Sequence, residues 1–239
     1  MTSSASGERS LADALDAGLV EIGLPLESSA RAALLAYVAL LAKWNQTYNL
    51  TAIREPGRMV THHLLDSLAV LPALDAFAGE GAGVEVLDVG SGAGLPGIPL
   101  AIARPAWRVT MLEPVHKKAA FITQAIAELR VGNAQATAKR VEDHRAPSPA
   151  TFAISRAFSD LASFAQSSIR HVAEDGALMA MKGVHPDEEL RELPPQFAVT
   201  QSLSLRVPGV DAARHLIVIQ RAARREGDES ASFAGASST

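Results

Sequence analysis

The chain has 239 residues, 48% of them hydrophobic, and a net charge of −4, which suits one α/β domain with a modest extension and a sizeable core. It contains no cysteine, so disulfides, thiolate nucleophiles, thiolate metal sites and cysteine-held iron–sulfur clusters are excluded, and a cytoplasmic location is expected. The longest apolar run, residues 32–42, is too short to span a bilayer and no signal pattern precedes it, so no membrane partner is expected.

Residues 1–9 are small, polar and without period, and read as a disordered tail. Apolar positions at helical spacing over 10–22 and 28–45 predict two helices separated by the breakers Gly23 and Pro25. A third is predicted from about Arg58 to Leu71, after the Glu55-Pro56-Gly57 turn. Residues 10–78 thus form a helical N-terminal extension, and 79–83 ("GEGAG") a hinge-like loop. The period then changes. Short β-rich runs ("VEVLDVG", "WRVTMLE", "AQATA", "TFAIS", "GALMAMK") alternate with helical runs starting at Gly97 and spanning 115–130 and 159–173. That alternation predicts a parallel sheet with helices on both faces. "FAVTQSLSLRV" and "RHLIVIQ" have no long helix between them and read as a closing antiparallel pair, completing a unit over 84–222. Residues 223–239 read as a second disordered tail.

Within this unit, "VLDVGSGAGLPGIPLAIA" (86–103) is the most informative stretch. Gly90, Gly92 and Gly94 let the backbone turn sharply after the first strand and approach a ligand closely. Pro96 and Gly97 mark the start of the helix that follows. "GAGLPG" satisfies G-x-G-x-x-G, so a dinucleotide remains open. Asp88, two residues before Gly90, stands where nicotinamide-binding strands usually carry apolar residues. Glu113, 19 residues after Gly94, ends the second strand and suits two ribose hydroxyls, without deciding between cofactor classes. The D-x-G-S-G-x-G form resembles the first motif of class I S-adenosylmethionine-dependent methyltransferases, a Rossmann-like fold.

If a methyl group is transferred, the absence of cysteine excludes the covalent C5-pyrimidine route. "LPPQF" (193–197) departs from the loop that handles exocyclic amines. A ring nitrogen with a free lone pair, such as guanine N7, needs no base, and no general base is obvious. Residues 104–145 carry eight Lys/Arg against four acids, an excess that fits solvated helix faces or an RNA patch. Lys117, Lys118 and Lys182 are the candidate phosphate contacts. Adjacent helical residues such as His62 and His63 point about 100° apart and make no natural ligand pair, so no metal is expected. Asn49 and Asp66 read as turn and helix-packing residues.

"KWNQTYNLTAIREPGRMVTHHLLDSL" (43–68), "DVGSGAGLPGIPLAIARP" (88–105), "SRAF" (155–158) and "MKG" (181–183) together resemble the glucose-inhibited division protein B (GidB, RsmG) family, from about Leu24 to Gln220. The resemblance implies a class I methyltransferase sheet, mostly parallel with a closing antiparallel strand, behind the helical extension. It implies S-adenosylmethionine as donor and N7 of a guanine in the 530 loop of 16S rRNA (nucleotide 527 in the usual numbering) as acceptor, in the small ribosomal subunit or its precursor. Matched residue by residue, it implies cofactor contacts at Gly90, Gly92 and Leu95, a ribose contact at Glu113, and Val141 and Glu142 beside the adenine. Arg156 is implied as the catalytic residue where cofactor and base meet. A monomer is expected.

Overall fold

The computed structural model describes residues 2–79, 83–156 and 158–223. Helix α1 (Thr2–Ile22) begins well before residue 10, so 2–9, expected to be a tail, is helical backbone. The second expected tail, beyond residue 223, and most of the loop expected at 79–83 lie outside the described residues. Helix α2 (Ser28–Tyr48) ends on Asn49 in the left-handed region (φ 48°), whose N–H caps Asn45 O. The helix expected over 58–71 is three pieces: α3 (Pro56–Met59), a π-helical turn (Val60–Leu65) and α4 (Asp66–Leu68). Apolar spacing predicts helix there but cannot tell an i→i+4 ladder from a local i→i+5 one. Helix α5 (Leu71–Ala78) follows, with proline in its first turn.

Beyond it come β1 (Glu85–Val89), α6 (Gly97–Ala103), β2 (Arg108–Leu112), α7 (His116–Leu129), β3 (Ala134–Thr137) and β4 (Ala150–Ser155). The chain then runs through α8 (Leu161–Ser168), β5 (Val172–Lys182), α9 (Asp187–Arg191), β6 (Phe197–Leu205) and β7 (Arg214–Arg221). The strands form one sheet in the order β3-β2-β1-β4-β5-β7-β6. β1 to β5 are parallel, and β7 runs antiparallel to both β5 and β6. The antiparallel strand is therefore interior and β6 is the edge. Burial explains this: the centre of β7 is wholly buried, whereas β6 is mostly exposed or half-buried.

Alternate side chains feed two cores. Val86, Met111, Phe152 and Met179 pack on one face with Leu34, Tyr37, Leu64 and Leu68, so the N-terminal helices share the sheet's core. Leu87, Leu112, Leu178 and Ile217 face α8. The Tyr37 hydroxyl, buried under the sheet's upper edge, donates to Ala93 O in the glycine loop at 2.7 Å. Burial holds its phenol well above the ordinary value. Tyr37→Phe should leave that carbonyl buried and unmet, costing about 1–3 kcal/mol. A calorimetric melt should fall by several degrees, and no change would mean that water replaces the hydroxyl.

Candidate active site

The glycine loop is shaped by what its backbone must reach. Gly90, Gly92 and Gly94 all have positive φ (73°, 60° and 85°), which only glycine adopts without strain. The N–H groups of Gly90 and Ser91 donate to Leu112 O at 2.9 and 3.0 Å, tying the loop to the end of β2. Gly92 N–H donates to Glu113 Oε2 and Val115 N–H to Glu113 Oε1, both at 2.8 Å. Glu113 thus holds the loop and the following turn together. A carboxylate has about four acceptor positions, so two stay available for hydroxyls. No heavy atom lies within 4 Å of where a Cβ on Gly90 or Gly92 would sit, so the loop faces open space. Leu95, expected at the cofactor, lies at the end of the loop with its side chain buried in the core.

Beneath the loop Asp88 is wholly buried. Its Oδ2 accepts from Gly97 N at 2.9 Å, the first residue of α6, and its Oδ1 has no partner. Burial pushes the carboxyl up to about 7, outweighing the lowering effects of the Gly97 N–H and the Arg156 charge. A Cβ on Gly97 would fall 2.5 Å from Met111 Cγ and 2.7 Å from Asp88 Oδ2, so this approach depends on glycine. An open cradle, an orphaned buried carboxylate oxygen and a carboxylate with spare acceptor capacity fit a ligand carrying hydroxyls and a positive charge.

The expected adenine-side pair lies in a 3-10 turn after β3 (Val141–Asp143), with Val141 buried and Glu142 exposed. The turn is latched from the β4–β5 crossover: His171 Nε2 lies 2.8 Å from Val141 O, and Arg170 Nη2 donates to the carbonyls of Val141 and Glu142. Arg145 Nη1 adds a bond to Glu142 O at 2.9 Å.

Arg156 follows β4 and its side chain is 24% exposed. Its Nη1 donates to His62 O at 3.2 Å and to Asp66 Oδ2 at 3.3 Å. Asp66 Oδ1 in turn accepts from Arg214 Nε at 2.7 Å, at the start of β7. Arg156, Asp66 and Arg214, with His62, His63 and Lys182, line a cavity of about 350 Å³ between the helix over 56–68 and the ends of β4 and β5. His63 is buried. Its Nδ1 faces His62 O at 3.0 Å, so Nδ1 carries the proton, and Nε2 accepts from Thr51 Oγ1 at 2.9 Å. Burial and the Arg156 charge push its pKa down to about 4, so it is neutral at pH 7.

Lys182, expected at RNA phosphate, is paired internally: its Nζ reaches Glu189 Oε1 and Oε2 at 3.0 and 2.7 Å. Lys117 (exposed) and Lys118 (half-buried) start α7, just beyond Glu113. A larger cavity of about 420 Å³ runs past Glu85, Arg108 and Ala134, at the beginnings of the strands. Ligands of open α/β sheets bind at the opposite, carboxyl end, so the smaller cavity is the candidate. Among the described residues no group of three His, Asp or Glu stands where it could hold a metal.

Asp66, Arg214 and Tyr37 are the site residues that sequence reasoning missed. A carboxylate set in the apolar run "HLLDSL" is itself a signal, because a buried charge requires a partner.

The rRNA small subunit methyltransferase G (GidB) family model matches residues 30–217. Ribosomal RNA small subunit methyltransferase G of Burkholderia pseudomallei (strain 668) is 52% identical over 210 residues, covering 86% of this chain and 89% of that protein. Its counterpart in Burkholderia mallei (strain NCTC 10229) is equally similar, with 90% covered. Among solved structures, TrmN from Thermus thermophilus aligns with a TM-score of 0.53 at 17% identity, over 68% of this chain and 53% of that one. The glycopeptide N-methyltransferase MtfA aligns with a TM-score of 0.53 at 14% identity, over 66% and 94%. The fold is thus that of class I methyltransferases, and the chain belongs to the GidB family of rRNA small subunit methyltransferases.

Proposed function

We propose that this enzyme transfers the methyl group of S-adenosylmethionine to N7 of a guanine in the 530 loop of 16S rRNA, the guanine-527 position, in the small subunit or its precursor. Bound S-adenosylmethionine supplies an electrophilic methyl on a sulfonium. The loop at Gly90 and Gly92 cradles it, Glu113 accepts its ribose hydroxyls, and the Val141–Glu142 turn flanks its adenine. Arg156 orients the acceptor base, and alignment of nucleophile, carbon and sulfur carries much of the rate.

The observation that carries the N7 reading is the state of His63. The histidine set deepest in the acceptor cavity is neutral, with both ring nitrogens engaged. N7 offers its lone pair without losing a proton. Borohydride–aniline cleavage of 16S rRNA should map an N7-methylguanine in the 530 loop in cells that have the protein and not in cells that lack it. At saturating cofactor the single-turnover rate should stay nearly flat from about pH 6.5 to 9. A tenfold rise per pH unit, removed by replacing His62, His63 or His215 with alanine, would identify a general base and an acceptor other than N7.

Asp88 gives cofactor binding its own pH dependence. Its carboxyl titrates at about 7 in the free protein, and a cation bound nearby favours the ionised form, so binding releases a proton. Affinity should rise roughly tenfold from pH 6 to pH 8 and then level off. Asp88→Asn, which keeps an acceptor for Gly97 N–H, should flatten the profile. The same raised value makes the native state bind the proton more tightly than the unfolded chain. This group's contribution to stability therefore declines as pH rises from about 4 to about 7.

RNA is expected to meet the start of α7. Lys117→Glu with Lys118→Glu should weaken RNA binding and flatten its salt dependence by about two counterions, leaving cofactor affinity unchanged. An unaltered salt slope in a filter-binding titration would make the two lysines a solvated face.

A further inference from the structure

Methyl transfer to N7 relocates a charge. The bond between carbon and sulfur breaks as the bond between carbon and N7 forms, no proton leaves, and the positive charge passes from the sulfonium to the purine. Most of the charged groups that line the cavity beside Arg156 oppose this. Arg156 and Arg214 are permanently cationic, and the positive charge of Lys182 is answered by Glu189. Among the described residues one carboxylate lines the cavity, that of Asp66, whose side chain is only 6% exposed.

We propose that Asp66 is a positioning residue for the transfer: held by Arg214, its carboxylate fixes the Arg156 fork toward the acceptor purine and answers the Arg156 charge, which would otherwise oppose the charge that the purine gains. The inference rests on the methyl-transfer reading above. Three features support it. Among the described residues the hydrogen bonds holding Arg156 fall on Nη1, to His62 O and Asp66 Oδ2, with His63 Nδ1 3.5 Å from the same nitrogen, which sets the plane of the fork while its other nitrogens remain for guanine O6. Asp66 is anchored independently by Arg214 Nε at 2.7 Å, from a strand 148 residues further along the chain. Asp66 lowers the charge of the triad from +2 to +1, and its carboxylate is nearly dry, so this lowering acts where it is felt strongly.

A merely structural clasp between the helix and β7 makes a different prediction from a positioning role, and the two separate in a double-mutant cycle. The readout is total labelled methyl incorporated in a single turnover at saturating S-adenosylmethionine and rRNA, beside cofactor affinity by calorimetry and thermal melting. Asp66→Asn should slow transfer by at least thirtyfold, with cofactor affinity within threefold of wild type. Asp66→Glu should restore part of the rate. Because Asp66 acts through Arg156, the variant combining Asp66→Asn with Arg156→Lys should be no more than threefold slower than the slower single variant. Transfer within threefold of wild type in Asp66→Asn, or losses that multiply in the double variant, would overturn the proposal. If Asp66→Asn does not fold, Arg214→Lys serves: it keeps the charge, loses the Nε bond, and should slow transfer at least fivefold at unchanged cofactor affinity. No slowing there also overturns it. Incorporated label does not depend on which atom is methylated. Failure of the N7 reading would appear separately, in borohydride–aniline cleavage of the wild-type product.

Discussion

Replacing Glu113 with alanine should weaken S-adenosylmethionine binding by about 2–4 kcal/mol, some thirtyfold to a thousandfold, the upper end exceeding the range for one hydrogen bond to a charged group. The excess arises because Glu113 serves two functions. Its oxygens already hold the Gly92 and Val115 N–H groups at 2.8 Å, so alanine removes both the ribose acceptor and the brace that keeps the glycine loop shaped. The loss should divide accordingly. Glu113→Gln, which keeps one acceptor oxygen for Gly92 N–H, should recover the melting temperature more fully than the affinity. Calorimetry with S-adenosylhomocysteine on folded protein is the check, and unchanged affinity in the alanine variant would remove the ribose role.

Arg156→Lys should lower the methyl-transfer rate by about thirty- to a hundredfold while cofactor affinity moves by less than threefold. A lysine keeps the charge but offers a point donor in place of a planar fork. It cannot satisfy both His62 O and Asp66 Oδ2 while presenting a second edge to the base. A loss confined to the rate marks an interaction made chiefly in the transition state. Equal losses in rate and cofactor affinity would instead place Arg156 in the cofactor site.

These two residues also show what the sequence could yield. The glycine loop and Glu113 were legible because their geometry is local: a strand, a sharp turn and a helix start lie within about 30 residues, and parallel pairing brings the end of β2 beside the loop. The buried run "RHLIVIQ" likewise marks a strand covered on both faces, although its interior place between β5 and β6 emerged only from the sheet order. Asp66 was not legible as a site residue, because its partners are 90 and 148 residues away and no short-range pattern announces them. Lys182 has a partner that the sequence did not announce either. It ends β5, and the short α9 brings Glu189 back beside it.

The π-helical turn at Val60–Leu65 has a consequence for how this enzyme can vary. Such a turn accommodates one more residue than a regular ladder of the same height. Deleting a single residue there would leave almost the whole composition of the segment intact. The turn could then close into a regular i→i+4 ladder of the same height, so Asp66 and everything after it would keep their phase and both guanidinium contacts. The same deletion in a regular helix such as α2 would rotate everything after it by about 100°, so a frame-preserving loss of one codon should be tolerated better at the π turn than in the helices on either side of it.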